Sequence, residues 1–183
     1  QLNIQFVQGL GDITESWDNT WQWNNASSAW YKLRGAVPFM PVIGNHDSPQ
    51  KMNEYFPISM FSSEPWYGDD AGGIENNFAL MTIGQENYLF LHVETYDQFS
   101  PYDPTGLEWS SGILANHPNR KVILATHDTW ETEHIRNALL NRFDNIVLSN
   151  AVHSCQREAL YLTTGPNGGV SHNFVTDYQC DHQ

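Results

Sequence analysis

The sequence predicts an α/β domain built on a mixed sheet, and three observations carry that prediction. Short apolar runs rich in β-branched and aromatic residues recur at 4–8, 37–43, 78–83, 88–93, 121–125, 145–148 and 170–175, each bounded by turn residues. Helical patterns lie between some of them, at 26–34, 105–117 and 131–143. Polar clusters stand directly after three of the runs: Gly11-Asp12, Gly44-Asn45-His46-Asp47 and Thr126-His127-Asp128. Strands alternating with helices bury their apolar faces by layering helices on a sheet.

Each element has its own justification. The run at 4–8 is short and leads to Gly11-Asp12, and the helix at 26–34 precedes the run Val37-Pro38-Phe39-Met40-Pro41-Val42-Ile43. Residues 48–77, with Pro49, Pro57, Pro65, Gly68, Gly72 and Gly73, are too long for an ordinary connection, and such loops are functional or disordered. Tyr55-Phe56-Pro57 and Trp66-Tyr67 predict an ordered loop whose aromatics pack, with the site as one place for them to lie. The helix at 105–117 follows a Pro-rich loop and stops before Pro118. The last helix spaces Ile135, Leu139, Leu140 and Phe143 along one face, while His134 with Glu131 and Glu133 reads as its solvated side. Trp17, Trp21, Trp23 and Trp30 read more readily as core or interface than as a platform for stacking sugars or bases.

With 183 residues and 40% hydrophobic content, the chain fits one domain over 1–183, incomplete at both ends if strands are lacking there. Its 21 Asp and Glu against 8 Lys and Arg disfavour a nucleic-acid partner and an anionic membrane surface. No run of apolar residues is long enough to span a bilayer. A start at Gln1, the sequon Asn25-Ala26-Ser27 and the scarcity of lysine together give the expectation of a secreted or extracellular protein. Cys155 and Cys180 form one disulfide or remain two separate thiols, with Cys155 as a metal ligand a third reading.

Ligands in α/β folds gather beyond the carboxyl ends of strands, and Asp12, Asn45, His46, His127 and His153 all take such positions. Asp offers an anionic oxygen that can bridge cations, Asn a neutral oxygen, and neutral His a nitrogen suited to Zn, Fe, Mn or Ni. Gly-Asp, then Gly-Asn-His-Asp, then a strand ending in His127 and another followed by His153, resembles the calcineurin-like metallophosphoesterase family, in the manner of its secreted bacterial members. The resemblance implies a metallophosphoesterase-like two-sheet sandwich flanked by helices. It implies Asp12 as the carboxylate bridging one or two divalent or transition metal ions, Asn45 and His127 as ligands of the second metal, and His153 as a ligand of the first. It further implies His46 as general acid or transition-state stabiliser, Asp47 as the residue orienting the His46 ring, and a phosphate ester as substrate.

The chain departs from that family at two places. The family opens with Asp-x-His on an earlier strand, whereas here Asp12 is the first acid and His46 the first histidine, so the first strand is lacking. Ser149-Asn150-Ala151-Val152-His153 stands where Ser-Gly-His-x-His is expected, so Ala151 replaces a ligand of the second metal. Asp47, Asp128, His172 and Cys155 are the residues within this chain that could make good the loss. Two functions therefore compete: a metal-dependent phosphomonoesterase or phosphodiesterase with an impaired centre, and a catalytically inactive member with a structural, self-assembling or binding role outside the cell. A lacking strand leaves a sheet edge open to self-association.

Overall fold

The computed structural model describes residues 2–94, 104–128, 133–153 and 159–176. A small sheet pairs β1 (Val7–Gln8) in parallel with β2 (Phe39–Met40). The large sheet contains β3 (Tyr67–Asp70), β4 (Asn77–Ile83), β5 (Glu86–Val93), β6 (Lys121–Thr126), β7 (Ile146–Ala151), β8 (Ala159–Thr164) and β9 (Val170–Val175). Its spatial order is β3-β4-β5-β6-β7-β9-β8. Strands β5, β6, β7 and β9 run parallel, while β3, β4 and β5 meander and β8 turns back antiparallel on β9. This is the mixed α/β sheet that the alternation of strands and helices predicts.

Helix α1 (Thr20–Trp30) begins well before residue 26, because Asn19 caps it by accepting from the N–H groups of Trp21 and Gln22 at 3.1 and 3.2 Å. Helix α2 (Pro49–Tyr55) starts from Ser48, whose hydroxyl accepts from Lys51 N–H, with Pro49 in the first turn where no N–H is needed. It lies inside the stretch expected to be loop, as do a 3-10 turn at Ile58–Met60 and β3. Strand β8 also escapes the sequence pattern. The pairing of β2 is cut to Phe39–Met40 because Pro38 and Pro41 bring no N–H to a ladder. Helix α3 (Pro104–Asn116) matches its expected span closely, and α4 (Glu133–Ile135) continues into a π turn at Arg136–Leu140.

Two cores result. On one face of the large sheet, Leu89, Leu91, Val122 and Leu124 pack against Leu107 and Leu114 of α3 and against Ile135, Leu139 and Leu140. The second core joins Trp23, Phe39, Met40, Ile43, Met52, Phe56, Phe61 and Ile74, so the aromatics of 48–77 do pack, in this core. Trp23 is fully buried with its indole N–H donating to the Trp17 carbonyl at 2.8 Å, and Trp30 packs on Phe39 at 5.7 Å. Trp21 remains in solvent.

The small sheet rests on the other face of the large one. Phe6 stacks on Phe90 with ring centroids 4.3 Å apart, and the Gln8 amide donates to His92 Nε2 at 3.1 Å. His92 is wholly buried, and burial pushes its pKa down to about 3 against the upward influence of the Asn77 main chain. Between that value and the ordinary 6.5, the unfolded chain binds a proton that the folded chain does not. Stability contributed here is therefore present above about pH 6.5 and is lost as pH falls towards 3, by up to about 1.4 kcal/mol per pH unit. Urea unfolding across pH 7 to 4 should show a steeper decline for the wild type than for His92→Gln, and equal slopes would contradict this role for the buried imidazole.

Candidate active site

Because β1 runs parallel to β2, and β5, β6, β7 and β9 run parallel to one another, the loops after these strands can share one edge of the molecule. The loop after β1 carries Asp12, the loop after β2 carries Asn45, His46 and Asp47, and His127 follows β6. Close approach is built in through two glycines. A Cβ on Gly11, whose φ is +92°, would lie 2.4 Å from His127 Nδ1, and one on Gly44 would lie 2.3 Å from the Asp12 main-chain nitrogen. Asp12 itself sits at φ 50° and His153 at φ 59°, in the left-handed region that side chains seldom occupy. Such backbone persists where its surroundings over-determine it.

Asp12, Asn45 and His127 meet. His127 Nδ1 is 2.8 Å from the Leu10 carbonyl, which can only accept, so the ring proton resides on Nδ1. Burial holds the His127 pKa below its ordinary value despite the nearby carboxylate of Asp12, so the ring is neutral and Nε2 carries a lone pair. That lone pair faces Asn45 Oδ1 at 2.9 Å and Asp12 Oδ2 at 3.4 Å. Asp12 Oδ2 is buried and has no hydrogen-bond donor. Three electron-rich atoms thus converge with no proton between them, which is the donor set of a cation site.

The remaining expected residues divide. The His153 ring lies 4.9 Å from that of His127, centroid to centroid. Asp12 and His153 are the expected ligands of the other metal that fall among the described residues, and Ala151 is buried and offers no donor. Among the described residues no group of three or more His, Cys, Asp or Glu side chains gathers to hold a metal. Asp128 is buried beside His127, while His172 is exposed in mid-strand on β9. Cys155 and Cys180 lie outside the described residues.

His46 and Asp47 correct the expectation that one orients the other. The His46 ring is held through Nδ1 by the Glu15 carbonyl at 2.8 Å, and that hydrogen bond is the chief cause of its raised pKa, with the Asp47 charge a lesser one. The Asp47 carboxylate turns away and accepts from the main-chain N–H groups of Ile13, Thr14 and Gly44 at 3.0, 2.9 and 3.0 Å, and from the Thr14 hydroxyl at 3.2 Å. Burial pushes its pKa up to about 6 against those donors. Its geometric effect is to clamp the Asp12 loop onto the Asn45 loop, and the His46 N–H then donates to Asp12 Oδ1 at 3.0 Å.

A family model described as calcineurin-like phosphoesterase matches residues 3–157. The chain belongs to that family. It is 26% identical, over 199 aligned residues, to the uncharacterized protein YvnB of Bacillus subtilis (strain 168); the match takes in 98% of this chain and 15% of that protein. The chain thus spans well under two thirds of this relative. In fold it resembles the crystal structure of a hypothetical protein from Thermus thermophilus, with a TM-score of 0.51 at 19% identity over 95% of this chain and 64% of the other. Calcineurin-like phosphoesterases bind divalent metals, and the atoms of Asp12, Asn45 and His127 fit one such ion. The pair Asp12 and His153 falls short of the three or more protein ligands that such ions ordinarily take.

Sequence reasoning missed the Leu10 and Glu15 carbonyls, which set the two histidine rings, because a main-chain acceptor has no residue signature. It also passed over Glu94, which follows β5 directly and is nine-tenths buried, and which the pairing of Val93 with Thr126 sets alongside His127. A glutamate at the end of an apolar strand was the available signal. Replacing Asp47 with Ala strands three main-chain donors, which should cost at least about 2 kcal/mol in chemical denaturation, with Asp47→Asn recovering part. A loss below about 0.5 kcal/mol would show that the clamp does not hold the loops.

Proposed function

We propose that this calcineurin-like phosphoesterase is a metal-dependent phosphoric ester hydrolase working through one cation held by Asp12, Asn45 and His127. The reading is supported above all by the bare lone pair of His127 Nε2 facing the oxygens of Asn45 and Asp12. A divalent cation held by Asp12, Asn45 and His127 would supply Lewis acidity toward a phosphoryl oxygen and would offset the net charge of −13 that opposes an anionic ester. The protein's own groups do the rest. Leu10 fixes the tautomer of His127, so the ligating nitrogen is presented without rearrangement. His46 is partly exposed and held through Nδ1, which leaves Nε2 to carry a proton toward the oxygen of a departing alcohol. Its main-chain bond to Asp12 keeps that ring in register with the cation site.

A second reading, a catalytically inactive member with a binding or structural role, is favoured by Ala151 and by the lack of any gathered group of three His, Cys, Asp or Glu side chains among the described residues. Metal content and turnover separate the two. Purified protein supplemented with Zn, Mn, Fe or Ni should retain a single ion per chain and hydrolyse p-nitrophenyl phosphate or bis(p-nitrophenyl) phosphate. Asp12→Asn and His127→Ala should each lower kcat/KM by at least about 100-fold, roughly 2.7 kcal/mol of transition-state stabilisation. Protein that folds, holds no metal and turns over neither ester would leave the inactive reading standing.

A further inference from the structure

The turn that follows Asp12 is held more tightly than a surface connection needs. Each main-chain N–H from Ile13 to Ser16 has a side-chain acceptor. Those of Ile13 and Thr14 donate to the Asp47 carboxylate, and those of Glu15 and Ser16 donate to Gln22 Oε1 at 3.0 and 2.8 Å. The Asn19 N–H donates to the Ser16 carbonyl at 2.9 Å, and the Trp23 indole to the Trp17 carbonyl at 2.8 Å. Loops ordinarily lie at the mobile end of a structure. This one is fixed from the cation site to the start of α1, so the side chains it presents to solvent are presented in one place.

Those side chains are an acid and two indoles. The Glu15 side chain is 78% exposed, and Trp17 and Trp21 are 40% and 72% exposed, whereas Trp23 and Trp30 pack in the second core. Side chains of a helix lean toward its N-terminus, so Trp21, in the first turn of α1, overhangs the turn that carries Glu15. Its neighbour Gln22 reaches the Glu15 N–H by the same lean.

The turn also borders the reacting end of the site. The Glu15 carbonyl holds His46 Nδ1 at 2.8 Å, and the Glu15 carboxylate stands 3.9 Å from the same nitrogen. An alcohol that takes its proton from His46 Nε2 therefore departs one imidazole away from that carboxylate.

Charge decides which alcohol suits the turn. Residues 1–31 contain Asp12, Glu15 and Asp18 and no Lys or Arg. Among the described residues, His46 is the basic group within ion-pair distance of Glu15. An exposed carboxylate and an indole face both attract an alkylammonium ion, one by its charge and the other by its ring quadrupole. A sugar also stacks on an indole, yet it gains nothing from a chain of net charge −13. An ammonium group does, and it also offsets the negative charge of the ester that this field repels.

We propose that this turn is the subsite for the alcohol half of the substrate, and that the alcohol is a short amino alcohol whose ammonium group is held by the Glu15 carboxylate and the face of Trp21. The assignment rests on the phosphoester reading of the cation site and narrows it to zwitterionic esters. Because the turn is already fixed, little ordering opposes binding there.

Phosphocholine and 3,3-dimethylbutyl phosphate share a shape and differ in carrying nitrogen or carbon at the branched centre, so their comparison reads the charge. An exposed ion pair and an exposed cation–π contact each give only a few-fold, so metal-supplemented protein should favour phosphocholine by about tenfold in kcat/KM, mainly through KM. Glu15→Gln, which keeps the carbonyl that holds His46, and Trp21→Leu should each cut that ratio to about threefold. Thermal unfolding should not change, because both side chains are exposed. Choline chloride added to metal-free protein should bind, read by broadening of its methyl proton resonance, and bind more weakly in both variants. Equal kcat/KM for the two esters, a ratio indifferent to both substitutions, or a preference for glucose 6-phosphate over both would overturn the subsite. Absence of choline binding would overturn it whether or not p-nitrophenyl phosphate is hydrolysed. Choline binding that weakens in the variants, with no ester turned over, would support the subsite while the hydrolase reading fell.

Discussion

The carboxylate of Asp47 is the constraint on which the site depends. It is fully buried, and it ties together loops that leave different strands of the small sheet, through the N–H groups of Ile13 and Thr14 on one side and of Gly44 on the other. A buried carboxylate without such donors would be costly, and main-chain N–H groups without an acceptor equally so. Each half therefore enforces the other. The clamp in turn sustains the left-handed turn at Asp12, the bond from His46 to its carboxylate, and the approach of Asn45 to His127.

Much of the fold was legible because its strands carry apolar residues, near-continuous in β5 and β6 where they pair in parallel, with burial alternating along β9. Strands β4, β5, β6 and β9 and helix α3 stand close to where periodicity places them. The failures have physical causes. Strand β3 is Tyr-Gly-Asp-Asp, with no apolar alternation to announce it, and β8 turns its leucines outward. Helix α1 starts ahead of its apolar pattern because its opening Thr20 to Asn25 lacks an apolar stripe, and Asn19 supplies the start instead.

The candidate site was legible in its side chains and illegible in its main chain. Residue types at strand ends pointed to Asp12, Asn45 and His127, which the fold does bring together. Nothing in residue identity could show that Leu10 would hold one imidazole and Glu15 another, or that Asp47 would face three N–H groups in place of the His46 ring. A side chain named by a motif still has its partner chosen by the local backbone, here by turns that only Gly11 and Gly44 can make at such short range.

The bond from His127 to Leu10 spans 117 positions of sequence, joining the end of β6 to the loop after β1. It forms only when the small sheet has docked on the large one. An ion that engages His127 and Asp12 together binds the docked arrangement in preference to the open one, so by mass action it acts as a ligand of sheet docking itself. Metal supply would then set how firmly the two layers are closed. The same donor atoms would serve as the latch of the tertiary structure as well as the seat of its chemistry.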